Sequence, residues 1–330
     1  MTRYEKVVIT TAIAVAVAAI LVAAATLVKR HRAPEARGEI LFRKELMDPT
    51  PAQPYAAPSH IPAGFHAKEG TPAEPYSDTG WAEEIVHDKT GIEMVFIPAG
   101  EFRRVVPDDA DSTSLNVRRY TEHIETPFYL GKYEVTQEQW VGIAGTNPSM
   151  YEGDRNPVEM VTWDDCQSFV EKARDGLRLP TEAEWEYACR AGTESWYFFR
   201  GNEQYSLMPY EEDLGKYAWY EHNSGVGAGQ THPVGEKLPN PWGLYDMYGN
   251  VDEFCQGYFY GKDNPEKLRV MRGGSIYSAA RQCTSSYRAA WRSGKAYNTD
   301  GLRVARTAAF LNPQVDSSEP SSERRSGEEE

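Results

Sequence analysis

The sequence predicts an α+β domain with low regular secondary structure, preceded by one transmembrane helix. Three observations carry that expectation. Short strand-like and helix-like patterns alternate between Glu93 and Arg190, the mixture expected of a single α+β layer arrangement. Beyond Arg190 the chain is rich in Gly, Asn, Pro and aromatic residues and shows no fixed-period repeat. Near the N-terminus, Val7 to Val28 is a run of 22 apolar and small residues.

That run is long enough, at about 1.5 Å per residue, to cross a hydrocarbon core of about 30 Å. Arg3 and Lys6 precede it, and Lys29, Arg30 and Arg32 follow. Residues 1–32 therefore read as a single-pass N-terminal membrane anchor, with the domain extracytoplasmic. A cleaved signal peptide, with Ala23-Ala24-Ala25 as its small residues, is the competing reading. Residues 33–80, rich in Pro and Ala with little apolar periodicity, read as an extended linker. The globular domain is expected over 81–310, and residues 311–330 form a solvated acidic tail.

Within the domain, Glu93 to Phe102 reads as two short strands around a Pro-Gly turn. Pro127 to Thr136 gives another strand, and Thr136 can N-cap a helix starting at Gln137. Thr162-Trp163-Asp164-Asp165 opens a second helix with Cys166, Phe169, Val170 and Ala173 on its apolar face. A third follows Pro180, where Thr181 and Glu184 have capping-box spacing.

The formal net charge of −14 argues against nucleic acid as a partner, because phosphate binding needs clustered Lys and Arg. Four cysteines, Cys166, Cys189, Cys255 and Cys283, show no paired spacing for zinc. The seven histidines are scattered, and no nucleophile-elbow pattern suggests a hydrolase.

Several segments match one known family in its own order. They are Gly91 to Gly100, Lys132-Tyr133-Glu134-Val135-Thr136, Asn156-Pro157-Val158, Arg178 to Ala188, Pro239 to Val251, Arg272 to Cys283, Tyr287-Arg288 and Gly301-Leu302-Arg303-Val304. Together they resemble the formylglycine-generating enzyme (sulfatase-modifying factor) family over about two thirds of the chain. The resemblance implies a formylglycine-generating-enzyme fold, which is C-type-lectin-like. It also implies a family chemistry in which two thiols bind Cu(I) and a client cysteine is oxidised to formylglycine with O₂.

Cys283 matches one of those thiols, whereas Ser278 stands where the other is expected. Cu(I) is soft and prefers thiolates, so a serine hydroxyl is a poor substitute. Cys283 is then either half of a catalytic site or a small buried hydrophobe. Ser275 resembles a serine near the oxygen site, or is a turn residue bonding local backbone. Asp252 replaces a tryptophan that lines the pocket in active members, and Ile276 replaces an aromatic. The resemblance also implies a Ca²⁺ site at Asp246, Gly249, Val251 and Glu253, whose hard oxygens suit that ion, or else a turn with solvated acids. The expected role is a non-oxidising accessory member binding a protein or peptide client, tethered through residues 7–28, with no nucleic acid and no small-molecule cofactor. The alternative is an oxidoreductase that makes formylglycine in its client.

Overall fold

The structure, a computed structural model, describes residues 60–70, 80–107, 117–200, 211–225, 229–259, 268–292 and 294–308. Two compact units divide the chain at Pro54/Tyr55, and the first lies wholly outside the described residues. In chain order the second unit contains β1 (Phe65–Ala67), β2 (Glu84–His87), β3 (Glu93–Ile97), β4 (Gly100–Pro107), β5 (Val117–Ile124) and β6 (Phe128–Gly131). Three helices follow, α1 (Gln137–Ala144), α2 (Trp163–Ala173) and α3 (Glu182–Arg190), then a single turn α4 (Glu211–Leu214). The remaining strands are β7 (Ala218–Trp219), β8 (Tyr248–Gly249), β9 (Asp252–Tyr258), β10 (Leu268–Arg272), β11 (Ala289–Arg292), β12 (Asp300–Gly301) and β13 (Ala305–Thr307).

A five-stranded sheet has the order β1-β2-β3-β6-β13, and a four-stranded sheet the order β11-β10-β9-β12. β4 and β5 form a separate ribbon, and β7 pairs with β8. The two strands expected around Pro98 both exist, but β3 pairs with β2 and β6 while β4 pairs only with β5. The chain changes sheets at that turn rather than closing a hairpin.

β3 is buried along Met94-Val95-Phe96-Ile97 without alternation, because the sheet is covered on both faces. Met94 and Phe96 enter a core with Tyr129, Trp140, Phe169 and Phe254. Val95 and Ile97 enter a second core with Leu130, Trp185 and Tyr248. The three helices start where the sequence places them, each under a capping box: Thr136 with Gln139, Thr162 with Asp165, Thr181 with Glu184. On α2, Cys166, Phe169, Val170 and Ala173 are all buried, as their spacing requires. Trp140 of α1 stacks on Phe169 of α2 at 5.0 Å between ring centres.

Two expectations need correction. The boundary read at Trp81 falls inside the sheet, because β1 pairs with β2 from Phe65 to Ala67 and Phe65 packs on His87 at 4.9 Å. An edge strand of three residues is held by backbone bonds and one aromatic, too little to leave a periodic signal. The single-pass membrane localisation is also overturned. Among the described residues no helix is long and apolar enough to cross a membrane. The longest has 11 residues, about 16 Å against a core of about 30 Å. Residues 7–28, on which the anchor was read, lie outside the described residues.

Candidate functional site

The site begins with Arg303, fully buried between the two sheets. Its Nη1 donates to the Gly131 carbonyl at 2.8 Å, its Nη2 to the Tyr245 carbonyl at 2.8 Å, and its guanidinium engages both oxygens of Glu253 at 2.8–3.0 Å. Trp185 Nε1 completes the Glu253 shell at 2.7 Å. One side chain thus ties β6, the loop before β8 and β9 together, and so fixes the loop from Tyr245 to Val251.

That loop is held in a shape few residues adopt. Asp246 and Asn250 have φ of 54° and 60°, and Gly249 has φ of 77°. Asp246 accepts from the Gly235 amide at 2.7 Å through one oxygen, while its Oδ1 is buried without a partner. Burial raises the Asp246 pKa to about 6. Glu134 is held well above the ordinary carboxylate range, first by burial and then by the charges of Asp246 and Glu253. The sequence-predicted calcium residues Asp246, Gly249, Val251 and Glu253 therefore share one loop and strand start, but not equally. Asp246 has an oxygen to offer, whereas both Glu253 oxygens are already engaged by Arg303 and Trp185. Glu134, which sequence reasoning missed, joins the same buried acids through the Val251 amide at 3.1 Å and Asn250 at 2.8 Å.

The second half of the site is the loop after β10. Gly273 and Gly274 have φ of 95° and 78°, which turns the chain sharply into Ser275. A Cβ on Gly274 would meet Cys283 Sγ at 3.1 Å and Ser278 Cβ at 3.2 Å. Ser278 and Cys283 therefore crowd the same side of Gly274, where two thiols would be neighbours. Ser278 Oγ accepts from the Ser275 amide at 2.9 Å and lies 3.4 Å from Ser275 Oγ. Cys283 is fully buried, and burial together with the Asp252 charge pushes its thiol far above the ordinary range. It is a neutral thiol at physiological pH. One such thiol and one hydroxyl do not fit a Cu(I) dithiolate.

Asp252 lies against the same loop. Burial raises its pKa to about 7, the Ser275 hydroxyl and Gly274 amide bond its carboxylate, and Asp300 repels it. Asp300, also missed from the sequence, sits directly opposite it on the parallel neighbour β12. Ile276, by contrast, is fully buried and its amide bonds the Asn250 carbonyl at 3.0 Å, joining the two halves. The Cys189 thiol is 3.5 Å from Ser285 Oγ, and all four cysteines are free.

A short-strand α+β domain in which a glycine-turned serine–cysteine loop packs on a buried Arg–Glu hub defines a class, and the comparisons agree on it. The family model described as the sulfatase-modifying factor enzyme 1-like domain matches residues 82–308, and the chain belongs to that family. It is 31% identical over 232 residues to the chaperone protein LppX of Paenibacillus barcinonensis, covering 54% of this chain and 80% of that protein. It is 32% identical over 166 residues to the formylglycine-generating enzyme of Mus musculus, covering 47% of this chain and 44% of the enzyme. With the inactive C-alpha-formylglycine-generating enzyme 2 of Bos taurus it shares 34% identity over 144 residues, covering 43% and 45%. The chain thus spans less than half the length of these two. Among solved structures, Treponema denticola variable protein 1 superposes with a TM-score of 0.53 at 28% identity, over 65% of this chain and 95% of that one.

Proposed function

We propose that this chain is a binding or accessory member of its family, acting on a protein or peptide client without oxidising it. The observation that carries the reading is Ser278 beside Cys283 under Gly274. Two side chains lie where a pair of soft ligands would be needed, but they supply only one thiol, and that one is neutral and buried. Asp252 adds a carboxylate where the active family members have an apolar wall. Two similar proteins bear names consistent with such a role, one a chaperone and the other an inactive enzyme. A structural Ca²⁺ belongs to the same proposal, with Asp246 and the carbonyls of Gly249 and Val251 as its donors and Glu253 lending charge while bonded to Arg303. The unpartnered Asp246 Oδ1 and the buried charges of Glu134 and Glu253 near it, of which only Glu253 is bonded to a guanidinium, support it.

The competing reading is a formylglycine-forming oxidoreductase, which family membership favours. A Cu(I) competition titration against a chromophoric chelator, with oxygen uptake measured on a cysteine-containing peptide, separates the two. We expect weak Cu(I) binding and no uptake in the natural chain, and tighter Cu(I) binding in Ser278→Cys. Tight, Cys283-dependent binding with oxygen uptake in the natural chain would overturn the accessory reading.

A further inference from the structure

The chain carries 49 acidic residues against 35 Lys and Arg, so an arginine without a carboxylate is not short of acids. Arg104, Arg178, Arg190, Arg272, Arg288 and Arg303 each meet a glutamate within 4.0 Å. Arg269, half-buried on β10, does not: among the described residues no carboxylate comes within 4.0 Å of it. It lies far along β9 from the Ser275 loop. Its register partner Tyr258 ends the strand that Asp252 begins, roughly 20 Å away at about 3.3 Å per residue.

What holds Arg269 is aromatic. Its guanidinium carbon is 3.4 Å from the centre of the Trp163 ring and 4.1 Å from that of Tyr258, so the two rings cover its faces. Trp291, its register partner on β11, is a third aromatic neighbour on the same face of the sheet. Trp163 is itself fixed, because its Nε1 donates to the Cys255 carbonyl at 3.0 Å. With both faces taken, only the edge of the guanidinium is left to bind, and there the hydrogen bonding is incomplete. Nη1 reaches the Gly257 carbonyl at 3.5 Å, the limit of such a bond. Nε is buried with no acceptor, and among the described residues Nη2 has none either.

Nε and Nη2 form the side of a guanidinium on which two parallel N–H groups meet the two oxygens of one carboxylate. That fork lies in the plane between the rings, so a flat group fits where a tetrahedral oxyanion would push oxygens toward the rings. A second unmet donor shares the helix face of Trp163. Gln167, one turn further along α2, has its Nε2 buried with no acceptor. Buried donors left so cost free energy that an arriving acceptor recovers. Trp163, Gln167, Tyr258 and Arg269 are half-buried rather than closed off, so the acceptor arrives from solvent.

We infer that the Nε–Nη2 edge of Arg269, between Trp163 and Tyr258, is a binding site for a carboxylate of a partner polypeptide. The rings fix the arginine in advance, so little side-chain entropy is lost when the anion binds. The site goes beyond the accessory reading, and it stands whether the Ser275–Cys283 loop oxidises a client or only binds one.

The test is heteronuclear NMR of the full chain, following the Arg269 Nε–H signal, assigned by its nuclear Overhauser contacts to the Trp163 ring, and the Trp163 indole N–H. The probes are acetyl-glutamate amide, its glutamine counterpart, N-acetylglycine and inorganic phosphate. The Arg269 signal is expected to shift saturably with the blocked glutamate, at a midpoint at least about tenfold below that of the blocked glutamine, the scale of one charge-assisted contact. The Trp163 indole should move at the same midpoint. Tyr258→Leu, which keeps the charge and removes one ring, should raise that midpoint several-fold, as should Arg269→Lys, which keeps the charge and removes the fork. Comparison of the blocked glutamate with N-acetylglycine identifies the carboxylate as that of a side chain or of a chain terminus, and either supports the site. Equal midpoints for glutamate and glutamine, no saturable shift at Arg269, or tighter binding of phosphate than of the blocked glutamate would each overturn it. The comparison of probes on the parent chain needs no variant, copper or oxygen, so its failure leaves the accessory reading standing.

Discussion

Glu182 offers the sharpest test of how the domain is held together. It is the first residue of α3, and its carboxylate meets three guanidiniums: Arg272 Nη1 at 3.1 Å, Arg288 Nη2 at 3.0 Å with Arg288 Nε also bonded, and Arg104 Nη2 at 3.0 Å. Burial alone would raise its pKa. The charges of Arg272, Arg288 and Arg104 outweigh burial and bring it from 4.5 to about 2. A depression of that size corresponds to roughly 3 kcal/mol of folding free energy. For a carboxylate whose folded pKa is lowered, that stability is present above about pH 4.5 and is lost as pH falls toward 2. Glu182→Gln keeps the volume and removes the charge, leaving Arg288 without an acidic partner and Arg272 with only Glu186. At pH 7 the variant should lose about 3 kcal/mol, a fall in Tm of roughly 6–12 °C for a domain of this size. At pH 3 the difference should shrink to about 1 kcal/mol, because most of the linked stability is then lost in the parent too. Calorimetry of both proteins at the two pH values reads this directly. A difference below about 1 kcal/mol at pH 7, or one unchanged at pH 3, would refute the assignment of the network as a stabilising one.

Three further expectations follow from the hub and its loop. Arg303→Met leaves the Glu253 carboxylate buried with Trp185 alone, at a cost of about 3–5 kcal/mol, read as a loss of soluble protein or a large drop in denaturation midpoint. Gly249→Ala places a Cβ 2.1 Å from the Trp219 carbonyl at a φ of 77°, so the loop must shift. Its Tm should fall further than that of Gly142→Ala, where a Cβ meets nothing within 4 Å. If Asp246 helps to hold Ca²⁺, chelation should lower the Tm of the parent and leave Asp246→Asn nearly unmoved; a parent Tm indifferent to chelator removes the ion from the account.

What could be read in advance, and what could not, follows from the range of the interactions involved. The three helix starts were legible because a capping box is made by residues three apart, so Thr181 and Glu184 carry the whole signal in four letters. The α2 face was legible for the same reason. β1 was not, because its pairing with β2 depends on residues about twenty positions away. The site divides likewise. Ser275, Ser278 and Cys283 sit within nine residues, so the resemblance of one segment singled them out, and the structure then brings Ser278 and Cys283 against Gly274. Asp300 could not be placed beside Asp252 from the sequence, since it is brought there by a strand pairing across 48 positions. One signal did exist: an aspartate directly before Gly301-Leu302-Arg303, where the following residues are fully buried, is an acid at a core boundary. That pairing separates two roles: Asp300 is closed, its oxygens accepting from the Thr299 hydroxyl and the Tyr297 amide, whereas Asp252 keeps a buried oxygen without a partner.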